Sequence, residues 1–172
     1  GNAVLTPEQA YLMTSILSDN KARSDTFGLN SLLSIPGRTV AVKTGTTNDK
    51  RDNWTVGGTP QVTVGVWVGN NDNTPMGGLR SGVTGAAPIW SEIMTKLLQD
   101  KPSHPIPRPP SIVQKKICSV SGLLPPPEGS STQCETRFEY FIKGTEPTKV
   151  DPGIQRAFID KATQDLAKPG QT

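Results

Sequence analysis

The segment Lys101-Pro102-Ser103-His104-Pro105-Ile106-Pro107-Arg108-Pro109-Pro110 is the strongest constraint on any fold this chain can adopt. Proline has no N–H to donate and a fixed φ, so neither a helix interior nor a central strand can run through the segment. It is expected to be extended polyproline II, a stiff spacer, in preference to a ligand for a proline-binding module. Eleven of the 16 prolines lie beyond Lys101, so the composition changes where the spacer begins. Three portions follow: 1–100 as a folded part, 101–111 as a Pro-rich linker, and 112–172 as a small or partly disordered C-terminal extension.

Within the first portion the hydrophobic period changes from helical to strand-like and back. Residues 6–19 read as a helix: Thr6 is an N-cap, Pro7 suits the first position, and Gln9 completes a capping box. Leu12, Met13, Ile16 and Leu17 are expected on its apolar face. Residues 24–37 read as loop. Thr39 to Val42 leads into Lys43-Thr44-Gly45-Thr46-Thr47 as a β-branched strand, and Asn48 to Asn53 is polar and turn-like. Trp54 to Gly57 is a second strand. Gln61 to Val68 is a third, with Val62, Val64, Val66 and Val68 on one face. Short connections make the three an antiparallel meander. After a Gly- and Asn-rich loop over 69–85, residues 86–99 read as a helix burying Ile89, Trp90, Ile93, Met94, Leu97 and Leu98. The fold class is therefore α+β, antiparallel strands packed by helices. Beyond the spacer, short strands are expected around Gln114–Cys118 and Arg137–Ile142, and a weak helix from Ile154 to about Ala167.

Charge and cysteine content narrow the function. The net charge of +3 is carried by residues 101–172, where basic and acidic side chains are scattered rather than clustered. That is no footprint for nucleic acid. No apolar run reaches the length of a membrane span. Cys118 and Cys134 lack metal-ligand spacing, and His104 lies in the proline run, so no metal site and no cofactor is expected. The two cysteines are either a surface disulfide or two unpaired thiols.

The chemistry concentrates at Lys43-Thr44-Gly45-Thr46-Thr47. Thr44 and Thr46 lie two apart on a strand, so both hydroxyls can serve one carboxylate. Gly45 leaves the backbone open to close approach, Lys43 adds positive charge, and N–H groups on an open edge can bind an oxyanion. The arrangement suits a substrate with a terminal carboxylate next to a carbonyl under attack. An ordinary amphipathic strand with an exposed lysine is the alternative on local evidence.

The longer run "AVKTGTTNDKRDNWTVGGTPQVTVGVWVGNND" (41–72) resembles the C-terminal half of the transpeptidase domain of class A penicillin-binding proteins, the bifunctional peptidoglycan synthases. The likeness includes Asp52-x-Trp54, Gly57, Pro60, Val66-Trp67-Val68-Gly69-Asn70 and Ala86-Ala87-Pro88-Ile89-Trp90, and extends more loosely to "SGLLPPP…C…EYFIKGTEPT". It implies a serine β-lactamase-like fold and cross-linking of peptidoglycan stem peptides through a serine acyl-enzyme that β-lactams trap. Carried over, Lys43 supplies positive potential and proton transfer, Thr44 and Thr46 hold the substrate carboxylate, Gly45 gives clearance, and the Thr46 N–H is half of the oxyanion hole. Catalytic roles thus fall to Lys43 and Thr46, substrate binding to Thr44, Gly45 and Thr46. The resemblance also implies the extracytoplasmic face of the bacterial cell membrane, with any anchor lying N-terminal to these residues.

"SILSDNK" (15–21) spells both S-x-x-K and S-D-N, the family's other two signatures. One hydroxyl cannot be both nucleophile and proton relay. Ser18 also closes a helix, whereas the family's nucleophile opens one. The nucleophile is therefore expected outside these residues, on the remainder of the same penicillin-binding protein, and the chain alone is expected to be inactive. A DD-carboxypeptidase or β-lactamase, or a β-lactam sensor or cell-wall-binding module of the same fold, are the alternative readings.

Overall fold

The computed structural model describes residues 2–77 and 84–153. They fall into two compact units that divide between Pro109 and Pro110. The expected helix from Ile154 lies outside the described residues.

The first unit opens with α1 (Pro7–Ser18). Its capping box is formed: Gln9 N–H donates to Thr6 Oγ1 at 3.3 Å, and Thr6 N–H donates to Gln9 Oε1 at 3.0 Å. The expected buried face is not buried. Met13 and Ile16 are exposed, Leu12 and Leu17 only half-buried, because the helix meets the sheet chiefly along its edge strand. The segment read as loop over 24–37 contains one helical turn, α2 (Ser24–Phe27), stopped by Gly28 at φ +77°.

Three antiparallel strands follow in the order β1 (Ala41–Thr46), β2 (Asp52–Thr59), β3 (Val62–Gly69). β2 starts at Asp52, two residues earlier than its apolar pattern suggests. Its inward residues Asn53, Thr55 and Gly57 are polar or small, while its large residues Trp54 and Val56 face outward. Pairing continues the ladder regardless of that inverted pattern: Thr44 lies opposite Thr55 and Thr46 opposite Asn53.

The inverted pattern is explained by α3 (Ala86–Leu98), which packs closely over the inner face. Trp90 is fully buried there with Ala86, Ala87, Met94 and Leu98, against Val42 and Val66. Its Nε1–H points at the strands, 3.2 Å from the Val64 carbonyl oxygen and 3.4 Å from that of Gly57. The other half of the expected buried face, Ile89, Ile93 and Leu97, lies outside. Apolar pairs at 89/90, 93/94 and 97/98 form two adjacent stripes at helical spacing, and only one can face the sheet. Arg38 donates to the Leu98 carbonyl at 2.8 Å and so caps the far end of α3.

Gly57 is the steric condition for this packing. A Cβ there would stand 2.5 Å from the Ala41 carbonyl oxygen, 2.7 Å from Val42 Cβ and 2.8 Å from the Trp90 ring. A Cβ at Gly45 would meet only Trp54 Cβ, at 3.8 Å. Gly57→Ala is therefore expected to destabilise the unit by about 1–3 kcal/mol through overpacking. Gly45→Ala should stay within about 0.5 kcal/mol of the parent. Thermal unfolding followed by circular dichroism distinguishes them; equal melting temperatures would contradict the steric account.

The second unit is built on a hairpin, β4 (Ile112–Cys118) and β5 (Thr136–Ile142), in register from Ile112–Ile142 to Cys118–Thr136. Cys118 and Cys134 are disulfide-bonded. Leu124 bridges to Val150, its N–H on the Lys149 carbonyl and its carbonyl receiving Asp151 N–H, at 2.9 and 2.8 Å. Among its described residues only Ile112, Ile117 and Cys118 are buried apolar groups, a core too small to carry a domain unaided. The disulfide, closing a separation of 16 residues, then contributes on the order of 3 kcal/mol. Reduction should remove amide protection from β4 and β5 while β2 and α3 keep theirs, as read by hydrogen exchange. Full retention in β4 and β5 would show that the disulfide is dispensable.

Candidate functional site

β1 is an edge strand, and the edge it leaves free carries the Lys-Thr-Gly-Thr run. Thr47 N–H donates to the Asp52 carbonyl at 3.0 Å, toward the sheet. Alternation along an antiparallel ladder then turns the Thr44 and Thr46 amides to the free side. Lys43 is exposed and its ammonium folds back onto the same side, Nζ donating to the Thr44 carbonyl at 2.5 Å. Thr44 and Thr46 share a face, opposite the face of Lys43 and Gly45. The free edge thus offers two amide donors, two hydroxyls and one ammonium to anything that approaches it.

A cleft of about 320 Å³ adjoins this edge, between the α1–α2 segment and β1. Leu17, Arg23 and Phe27 wall it on one side, Val42, Lys43 and Thr44 on the other. Gly45 and Thr46 lie further along the strand, outside the cleft. Arg23 donates to the carbonyls of Leu17 and Ser18, both at 3.3 Å, and so caps α1. Burial lowers the pKa of its guanidinium, and the nearby Asp19 carboxylate opposes that shift. Ser18 is the last residue of α1, and its hydroxyl donates to the Ser15 carbonyl at 3.3 Å. It is not among the residues lining the cleft.

The far end of the motif is held by a clamp. Asp52 accepts from Trp67 Nε1–H at 2.9 Å and from the Thr47 hydroxyl at 3.2 Å, and its own N–H donates to Thr47 Oγ1 at 2.8 Å. The connector between β1 and β2 passes through Asp49 and Lys50 at φ +59° and +55°, left-handed conformations that cost non-glycine residues of order 1–3 kcal/mol each. Met76 N–H on the Lys50 carbonyl, at 3.1 Å, and the Arg51 guanidinium on the Asn73 carbonyl hold it there.

Behind the edge stands a residue that the sequence pattern places in a turn. Asn53 is fully buried; its Oδ1 accepts the Ala86 N–H at 2.6 Å, and its Nδ2 donates to Thr46 Oγ1 at 3.1 Å. Its only signal in the sequence is its parity with Thr55 and Gly57. Among the described residues no group of three or more His, Cys, Asp or Glu side chains could hold a metal ion.

Asp52→Ala should loosen the clamp by about 1–2 kcal/mol, the worth of hydrogen bonds to a charged acceptor at a partly exposed site. Urea unfolding measures the loss, and Trp67 emission should shift to the red as its N–H turns to water. An unchanged emission spectrum would show that Trp67 does not depend on Asp52.

The geometry can be set beside known proteins. The family model described as "Penicillin-binding protein 1A, C-terminal domain" matches residues 108–156. Penicillin-binding protein 1A of Clostridium botulinum (strain Langeland) is 32% identical over 170 residues, 95% of this chain and 20% of that protein. The Pseudomonas aeruginosa protein of the same name is 37% identical over 119 residues, 69% of this chain and 14% of that one. The crystal structure of penicillin-binding protein 1A from Haemophilus influenzae superposes with a TM-score of 0.68 at 34% identity, covering 86% of this chain and 22% of that one. The chain spans no more than about a fifth of the length of the curated relatives it matches.

Proposed function

Because this chain belongs to the penicillin-binding protein 1A family, we propose that it forms the C-terminal part of the transpeptidase domain of a bifunctional peptidoglycan synthase. The observation that carries the reading is the free edge of β1, where Lys43, Thr44 and Thr46 gather donors around a glycine that this chain's own packing does not require. Residues 1–100 belong to that domain, of serine β-lactamase-like fold, 101–111 to the linker and 112–172 to the extension.

In this reading a serine Oγ, supplied by the remainder of the same protein, attacks the carbonyl carbon of a D-Ala-D-Ala peptide bond. Its proton passes through the Lys43 side of the site to the departing D-alanine nitrogen. The carbonyl oxygen gathers negative charge and is met by the Thr46 N–H at the free edge. The terminal carboxylate lies against the Thr44 and Thr46 hydroxyls, with the Lys43 charge beside it. Gly45 lets the substrate backbone approach like an added strand. An amine of a second stem peptide then takes the acyl group. β-Lactams present the same carbonyl and carboxylate and stop at the acyl-enzyme. The site faces outward from the cytoplasmic membrane, and the disulfide fits an oxidising compartment. Among the described residues no helix is long and apolar enough to cross a membrane.

Fluorescent penicillin tests this. The complete polypeptide should be labelled covalently, and this chain alone should not. Lys43→Ala in the complete polypeptide should slow acylation roughly 10²–10⁴-fold, the usual worth of a proton-transfer group. A penicilloyl adduct on Ser18, found by mass spectrometry of this chain alone, would overturn the assignment of the nucleophile.

A further inference from the structure

Asn53 holds two elements that chain order keeps far apart. The Ala86 N–H at the start of α3 belongs to a helix whose N-cap, Gly85, supplies no side-chain bond. Such amides have no partner inside their own helix. Asn53 Oδ1 supplies one from 33 residues away, at 2.6 Å. The identity of that contact fixes the whole side chain. A backbone N–H can only donate, so the atom facing Ala86 is the amide oxygen. The atom facing Thr46, 3.1 Å away, is therefore the NH₂ group, which also can only donate.

A consequence follows for Thr46. Its hydroxyl oxygen is engaged as an acceptor by Asn53 from the buried side. Its proton is then left to point elsewhere, and Thr46 stands exposed at the free edge. We propose that Asn53 is a positioning residue that sets the Thr46 hydroxyl as a donor toward the substrate carboxylate, and that it ties this setting to the seating of α3. Asn53 touches no substrate; it acts through Thr46. The inference rests on the transpeptidase reading above. It adds a determinant of carboxylate selectivity within the sheet, one layer behind the site.

Asn53→Asp tests the polarity of the bond. A carboxylate at 53 can still accept the Ala86 N–H, but its second oxygen can only accept. The Thr46 hydroxyl must then donate inward and has no proton left for a ligand. In the complete polypeptide, acylation by benzylpenicillin should fall roughly tenfold to a hundredfold, as expected for loss of one charge-assisted hydrogen bond. Acylation by the benzylpenicillin methyl ester, which lacks the carboxylate, should change less than about threefold. The preference for acid over ester therefore collapses, whereas general damage to the fold would lower both rates. Thr46→Val should give the same collapse. The double variant should be no slower than the poorer single one by more than about threefold, since both changes remove one interaction. Failure of the parent polypeptide to react with benzylpenicillin would overturn the transpeptidase reading, and this inference with it. A parent that reacts, with an Asn53→Asp variant that melts normally and keeps its acid-over-ester preference, would overturn this inference alone. Should Asn53→Asp fail to fold, Thr46→Val on the exposed edge decides: an unchanged benzylpenicillin rate there sinks the proposal.

Discussion

The seating of Trp90 over Gly57 is the contact on which the first unit depends. It is at once a steric fit, a large apolar burial and a polar satisfaction, because the indole N–H meets the carbonyls of Val64 and Gly57 from two strands. Removing the indole would cost about 3–5 kcal/mol by the usual measure of buried aromatic truncation. More follows from its position. With Trp90 in place, Ala86 and Ala87 are pressed against the sheet and the first turn of α3 falls beside Asn53. The inward residues of β2 are small or polar because the helix approaches too closely for larger ones.

That close approach links the packing to the chemistry. The same turn of α3 that Trp90 anchors supplies the amide that orients Asn53, and Asn53 in turn meets Thr46. Next to it the Asp52 clamp fixes Thr47 and Trp67, so the residue that follows Thr46 is held as well. An edge strand left to itself frays; here Thr46 and Thr47, at the end of β1, are each bonded to a side chain of the neighbouring β2. Rigid donors at fixed positions are what stabilisation of a developing charge needs, since they require no reorganisation when the charge appears.

The sequence made some of this legible and hid the rest for identifiable reasons. The alternation of Val62, Val64, Val66 and Val68 against Thr63, Gly65 and Trp67 places β3 without ambiguity, and Thr6, Pro7 and Gln9 state the start of α1. The K-T-G run is readable because its chemistry and its β-branched context agree. The face of α3 was only half readable: two apolar stripes compete, and the choice is made by the notch at Gly57, which no periodicity of the helix reveals. Asn53 falls in a polar stretch that reads as a turn because β2 inverts the usual pattern, with large residues out and polar ones in. The pairing of Cys118 with Cys134 was open because spacing alone does not decide it; the hairpin register brings them together.

The inverted pattern of β2 has a further meaning. Trp54, Val56 and Trp67 are large apolar groups on the outer face of the sheet, about half-exposed, and Ile89, Ile93 and Leu97 line the outer side of α3. Large apolar groups thus stand at the surface of both layers. Lys43, Thr44 and Thr46 supply charge and donors suited to an anion, while the Ser18 hydroxyl donates within its own helix. In the proposed reading, this edge stabilises charge and the nucleophile comes from the remainder of the protein. The outward aromatic face and the free edge of β1 are the two surfaces from which that remainder would be met.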